Sequence, residues 1–276
     1  MTLRLAVVGH PIAHSLSPAM QTAALRTLRL DATYEARDVE PRELPTIVGE
    51  LRDGRWQGLN VTLPHKVAVL SLCDHVEDDA RVIGAVNTLC VAGGSVIGTN
   101  TDVLGLHASI APYEPVLRGG HVVILGAGGA ARAAAAVARR LDASSITIAA
   151  RDVDKAAFDP FVSAVSFADR AALAAAFARA SLLVQATSAT MGPGADAFVD
   201  ALPLDALAPR TIVTDLVYRP RHTRLLDACE ARDLVTIDGT EMLVQQGAAS
   251  LSRWLGRSID ASTTDAMRRA LHDALR

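Results

Sequence analysis

Apolar positions along this chain fall in short blocks broken by glycine and proline, not in one sustained period. Residues 3–8 (LRLAVV) are a compact apolar run closed by Gly9 and Pro11, which predicts a strand. Ser17 and Pro18 predict a capped helix start, with the helix running to residue 28. Residues 33–36 and 59–62 predict two further strands, and 41–53 and 67–72 predict helices. Residues 85–91 and 95–99 predict a hairpin across Gly93-Gly94. Strand and helix thus alternate through the first hundred residues.

The alternation continues. Residues 101–111 predict a helix, and 112–120, bearing proline and glycine, a connection. HVVIL at 121–125 predicts a strand buried on both faces. It leads directly into Gly126-Ala127-Gly128-Gly129-Ala130-Ala131 and an alanine-rich helix to residue 141. Strands at 146–149, 181–186, 211–215 and 234–237, with helices between, predict a parallel, doubly wound sheet. Helices at 242–255 and 264–275 end the pattern, and no repeat of fixed period occurs.

Composition narrows the class. Half the residues are apolar but only 4% are aromatic, which suits alanine-rich helices on valine- and leucine-rich strands. The formal net charge is −3 and no basic block occurs, so neither nucleic acid nor an anionic membrane surface is an expected partner. No uninterrupted apolar run reaches the roughly 18 residues of a membrane span. Arg4 and the early His10-Pro11 make the first residues a strand and not a secretion signal. Cys73, Cys90 and Cys229 are odd in number and lie far apart, which predicts reduced thiols in a cytoplasmic protein.

The segment from Gly126 spells G-x-G-x-x-A between a strand and a helix. Gly126 permits the tight turn, Gly128 lets a pyrophosphate approach backbone N–H groups, and the small Ala131 lets helix and strand pack closely. The helix start adds partial positive charge. A glycine-rich turn without a ligand is the plainer alternative. The next strand ends in Arg151-Asp152-Val153-Asp154-Lys155. Arg151, with Lys155 one turn on, predicts a 2′-phosphate and hence NADP; Asp152 and Asp154 leave NAD possible.

Four N-terminal segments gather polar groups at strand ends: 9–18 (GHPIAHSLSP), 60–66 (NVTLPHK), 84–88 (GAVNT) and 98–102 (GTNTD). Together they supply hydroxyls, amides, one lysine and one aspartate, a set able to bind a carboxylate and ring hydroxyls and to move a proton. With Gln185–Ser188, Asp215–Pro220 (D-x-x-Y-x-P) and Met242–Gln246 (M-L-V-x-Q), these motifs stand in the order of the shikimate dehydrogenase family, which the chain closely resembles over nearly its whole length.

The resemblance implies an α/β protein of two domains: an N-terminal substrate-binding domain, residues 1–101 plus 238–276, and a Rossmann-type doubly wound dinucleotide-binding domain, 102–237. The active site would lie in the cleft. The small-molecule partner would be shikimate or 3-dehydroshikimate, with the protein a monomer or homodimer. Ser15 and Ser17 match the hydroxyls that bind the substrate carboxylate. Thr62, Asn87, Asp102 and Gln246 match groups that hold the ring hydroxyls, and Tyr218 the tyrosine lining the site. Lys66 and Asp102 match the catalytic pair. Gly126, Ala127, Gly128, Gly129 and Ala130, with Arg151, Lys155, Thr187 and Gly239, match cofactor-binding positions.

Departures from the family pattern are Ala150 where Asn is common, Asp152 where Thr or Ser is, and Gln185 where Asn is. Ser17 favours shikimate, since quinate-using relatives tend to carry Thr there. Structural alternatives stand beside each role. Lys66 could be a surface lysine, Asp102, Ser15 and Ser17 helix caps, and Tyr218 core packing. His10, His14 and His65 read as a hydrogen-bonding shell, with no metal expected. Rivals to the main reading are an NAD-linked quinate/shikimate dehydrogenase and a non-catalytic ligand-binding paralogue.

Overall fold

The first apolar run becomes β1 (Leu3–Gly9), whose last five residues are buried inside a six-stranded mixed sheet. The computed structural model describes residues 2–158 and 161–276. The other strands of this sheet are β2 (Ala32–Asp38), β3 (Gly58–Val61), β4 (His75–Val76), β5 (Thr88–Ala92) and β6 (Ser95–Thr99), in the order β2-β1-β3-β5-β6-β4. β1 runs parallel to β2 and β3, while β3, β5 and β6 pair antiparallel. Helices α1 (Ser17–Thr27), α2 (Leu44–Arg52) and α3 (Asp78–Ile83) connect them. Leu44, Ile47, Val48 and Leu51 of α2 pack with Ala6, Val8, Leu59 and Leu89 of the strands. That is the i, i+3, i+4, i+7 stripe of an amphipathic helix on a sheet.

Beyond α4 (Asp102–Ile110) and the short α5 (Glu114–Leu117) comes the second sheet. Its strands are β7 (His121–Leu125), β8 (Ser145–Ala150), β9 (Val162–Ser166), β10 (Ala180–Gln185), β11 (Ile212–Asp215) and β12 (Val235–Ile237). All pairs are parallel and the order is β12-β11-β10-β7-β8-β9. This is the doubly wound dinucleotide-binding order, with its switch point between β7 and β10. Its helices are α6 (Gly129–Arg140), α7 (Val153–Ala156), α8 (Arg170–Phe177), α9 (Ala195–Ala201) and α10 (Arg224–Glu230), followed by α11 (Thr240–Leu255) and α12 (Ala261–Ala274).

The chain divides into two compact units, Met1–Gly105 with Leu243–Arg276, and Leu106–Met242. The chain passes from one unit to the other within α4 and again within α11. No helix among the described residues is long and apolar enough to cross a membrane.

Several elements differ from the sequence expectation. The helix expected at 67–72 is a 3-10 turn, Ala68–Leu72, and that at 41–53 begins with another, Pro41–Glu43, before α2. The first hairpin strand starts at Thr88, because Val86 N–H donates to the Lys66 carbonyl and holds 85–87 as a loop. Ser17 is not a cap: α1 already includes it, and Leu16 before it has helical backbone without a side-chain cap.

Candidate active site

The loop after β3 carries Lys66. His65 anchors it: its Nε2 lies 2.7 Å from the Val39 carbonyl, which only accepts, so that nitrogen carries the hydrogen. His65 N–H donates to the Thr62 carbonyl, closing a tight turn around Leu63-Pro64. Lys66 Nζ then reaches Asp102 Oδ2 at 2.5 Å. The Lys66 side chain is 18% exposed and the Asp102 side chain 5%, so the ammonium is partly open to solvent while the carboxylate is nearly closed off from it. A short, charge-assisted contact of this kind in a partly dry setting fixes both groups.

Asp102 opens α4, and its backbone N–H donates to Asn100 Oδ1. The two carboxylate oxygens are divided: Oδ2 takes Lys66 Nζ and Oδ1 takes Asn87 Nδ2 at 2.8 Å. Asn87 is buried and doubly keyed. Its Oδ1 accepts from Thr101 N–H at 2.8 Å, so its amide hydrogens face Thr101 Oγ1 and Asp102. The structure therefore brings Lys66, Asp102 and Asn87 together in one cluster of the first unit.

The other expected substrate residues of the first unit lie on neighbouring segments. Thr62 N–H pairs with the Val8 carbonyl and His10 N–H with the Leu63 carbonyl, which lays the 10–17 loop beside the lysine loop. Within it, Ser15 is half-buried and Ser17 buried, and Ser17 N–H donates to Ser15 Oγ at 3.4 Å. Gln246 on α11 is buried with its Nε2 donating to the Leu243 carbonyl. One participant escaped the sequence reading: Ser250, one turn beyond Gln246, whose hydroxyl joins Asn60, Thr88 and Thr101 behind Asn87. Its only signal is the helical spacing from Gln246.

The second unit holds the glycine turn. Gly126 follows β7 with φ +114°, in the region where L side chains are strained. A Cβ there would also lie 2.7 Å from Thr187 Cγ2. The loops after β7 and β10, on either side of the switch point, thus touch at Gly126 and Thr187. Gln185, fully buried, shapes the second loop by accepting from Thr187 N–H and Thr187 Oγ1 while donating to Thr190 Oγ1. A Cβ on Gly128 would meet no heavy atom within 4 Å, so the turn has open space where a pyrophosphate approaches the start of α6. Ala131 is fully buried against the sheet. Ala127, Gly129 and Ala130 lie in or directly after this turn. The residues fit a dinucleotide.

Past β8, Arg151 is exposed. Lys155 sits 3.2 Å from Asp152, whose carboxylate also accepts from Lys155 N–H to cap α7. The Lys155 contact is the main cause holding the Asp152 carboxyl below the usual carboxylate range. The lysine is thus partly neutralised by its neighbour. Arg132 on α6 stacks its guanidinium 4.4 Å from the Phe158 ring centroid. Gly239 is explained by packing: a Cβ would lie 2.5 Å from the Leu216 carbonyl oxygen. Tyr218, half-buried, lies in the loop after β11. That loop is clamped by Asp215, which accepts from Val217 N–H and Thr223 Oγ1, and burial pushes its carboxyl up to about 6. His222, Asp227 and Glu230, all exposed, have side-chain ligand atoms within 4.8 Å of one another.

A family model described as the shikimate dehydrogenase substrate binding domain matches residues 7–89, and one described as the shikimate 5'-dehydrogenase C-terminal domain matches 239–272. The chain is 40% identical over 278 residues to the shikimate dehydrogenase (NADP(+)) of Synechocystis sp. (strain ATCC 27184 / PCC 6803 / Kazusa), covering 98% of this chain and 95% of that one. It is similar to the shikimate 5-dehydrogenase of Thermus thermophilus solved in complex with NADP(H) and shikimate, at 36% identity and a TM-score of 0.84, covering 99% and 100% of the two chains. The ligand-free 5-ketofructose reductase of Gluconobacter sp. strain CHM43 also matches, at 31% identity and a TM-score of 0.80, covering 99% of each.

Proposed function

The chain belongs to the shikimate dehydrogenase family, and from that premise we propose that it catalyses the reversible, NADP-dependent reduction of 3-dehydroshikimate to shikimate. The observation that carries the chemistry is the Lys66–Asp102 pair, with its carboxylate buried and its ammonium partly open. In ketone reduction a hydride reaches the ring carbon while the Lys66 ammonium gives a proton to the carbonyl oxygen. In the reverse direction the hydroxyl returns that proton to the amine. Asp102 holds the ammonium and keeps acceptor capacity for a substrate hydroxyl. NADP, when bound, supplies or accepts the hydride.

The remaining roles are those the family resemblance implies. Ser15 and Ser17 bind the substrate carboxylate, Thr62, Asn87, Asp102 and Gln246 the ring hydroxyls, and Tyr218 lines the substrate site. The turn from Gly126 to Ala130 holds the pyrophosphate, supported by Thr187 and Gly239, and Arg151 receives the 2′-phosphate, with Lys155 adding a charge shared with Asp152. The first unit is then the substrate-binding domain and the second the nucleotide-binding domain. The reduced thiols Cys73, Cys90 and Cys229 suit a cytoplasmic enzyme, working as a monomer or homodimer.

The test is a spectrophotometric assay. Shikimate or quinate is mixed with NADP⁺ or NAD⁺, and the near-ultraviolet absorbance of reduced nicotinamide is followed. Shikimate with NADP⁺ is expected to give the highest kcat/KM. No turnover with any pair would refute the enzymatic reading, and a clear preference for NAD⁺ would refute the cofactor assignment. The pairing of Lys155 with Asp152 counts on the side of NAD, as does Asp154.

A further inference from the structure

Behind the Lys66–Asp102 pair lies a buried hydrogen-bond circuit, and one member comes from the far end of the chain. Ser250 Oγ has a single hydrogen, donated one turn back to the Gln246 carbonyl at 3.0 Å. Its other contacts must therefore be accepted. Asn60 Nδ2 lies at 2.8 Å, Thr88 Oγ1 at 2.8 Å and Thr101 Oγ1 at 3.1 Å. Asn60 is itself oriented, because Tyr34 Oη donates to its Oδ1 at 2.7 Å.

Counting hydrogens fixes the rest. With Asn60 occupying one lone pair of Ser250, the hydroxyl of Thr88 or Thr101 fills the other. The remaining threonine hydroxyl is left for Asn87 Oδ1, at 2.9 Å from Thr88 or 3.2 Å from Thr101. That oxygen already accepts Thr101 N–H, so both its lone pairs are filled. Thr101 N–H and the Asp102 carboxylate set the orientation of the Asn87 amide, with Nδ2 donating to Asp102 Oδ1, and the threonine hydroxyl completes its hold. Without the Ser250 oxygen, Thr88 and Thr101 lose the acceptor they share, and the Asn60 amide shifts to its longer contacts, the Asn87 carbonyl at 3.2 Å and Thr88 Oγ1 at 3.1 Å.

We propose that Ser250 is a positioning residue for the reaction: through Thr88 and Thr101 it locks the Asn87 amide, and so the Asp102 carboxylate against Lys66. The same hydroxyl ties the helix carrying Gln246 to that cluster. This inference rests on the catalytic reading of Lys66 and Asp102.

The test compares wild type with Ser250→Ala, Ser250→Cys and Ser250→Thr. The alanine removes the acceptor, the cysteine keeps the volume with a poor one, and the threonine restores it. Ser250→Ala and Ser250→Cys are expected to lower kcat about five- to tenfold with KM for shikimate within about twofold, and to displace the pH dependence of kcat. Ser250→Thr is expected to recover most of the turnover. Wild-type kcat and pH profile in the two deficient variants, or a lower Tm with both unchanged, would overturn the proposal. NMR gives a readout that needs neither variants nor substrate: the side-chain amide hydrogens of Asn87 are expected to exchange slowly with deuterium in the wild type and faster in Ser250→Ala or Ser250→Cys. Fast exchange in the wild type overturns the lock even if no variant folds. A wild type without turnover but with slow exchange counts against the enzymatic reading alone.

Discussion

At the scale of single residues, the site depends on which atom each polar group is obliged to face. Asp102 has one oxygen on an ammonium and one on an amide, so removing the lysine leaves a buried carboxylate that has lost its cationic partner and keeps the Asn87 amide. Lys66→Ala is expected to reduce turnover by about a hundredfold or more with KM for shikimate nearly unchanged, measured by steady-state kinetics. Gly126→Ala tests the other half of the chemistry. Its Cβ would press on Thr187 in a backbone region costly for alanine, so the turn must deform. NADPH affinity, read by fluorescence titration, is expected to fall about tenfold or more, from a cost above roughly 1 kcal/mol. Lys66, Asp102 and Asn87 were legible in the sequence because each sits in a dense polar segment at a strand end. Ser250 was not, because it meets Thr88 and Thr101 across 162 and 149 positions and its local sequence is that of an ordinary helix.

At the scale of elements, the loop after β11 shows how one buried acid shapes a connection. Asp215 accepts from Val217 N–H and Thr223 Oγ1, the latter also capping α10 by accepting from Leu226 N–H. Burial raises its carboxyl from 3.8 to about 6, the unfolded chain keeping the ordinary value. The folded protein therefore holds a proton that the unfolded chain has already lost, and stability from this site falls as pH rises from about 4 to about 6, then levels. Denaturant unfolding across that range is expected to show this slope in the wild type, on the order of 2 kcal/mol, and to lack it in Asp215→Asn. Long blocks such as β7 and α6 were readable because their burial is uniform or follows one helical face. The elements missed were short or polar. β4 has two residues, α3 is six residues carrying Asp78, Asp79 and Arg81, and β9 lies at the sheet edge with no fully buried position. Such pieces are held by their neighbours and carry little periodicity of their own.

At the scale of the whole molecule, the two units differ in how the chain builds them. Leu106–Met242 is continuous and owns its own apolar core, including Val123, Leu125, Phe177, Leu183 and Val213. A fragment of residues 102–242 is therefore expected to unfold cooperatively and to bind NADPH within about tenfold of the full chain, checked by circular dichroism and titration. Failure to fold would show that this unit depends on the rest.

The other unit is assembled from two distant stretches, and that imposes an order of completion during synthesis. The polypeptide leaving the ribosome has finished its nucleotide-binding sheet before residues 243–276, which include Gln246 and Ser250, have been made. The Lys66–Asp102 pair acquires its supports from residues 243–276 only after that sheet has been made. A nonsense mutation just after the second unit would therefore yield a product able to sequester nicotinamide dinucleotide while turning nothing over.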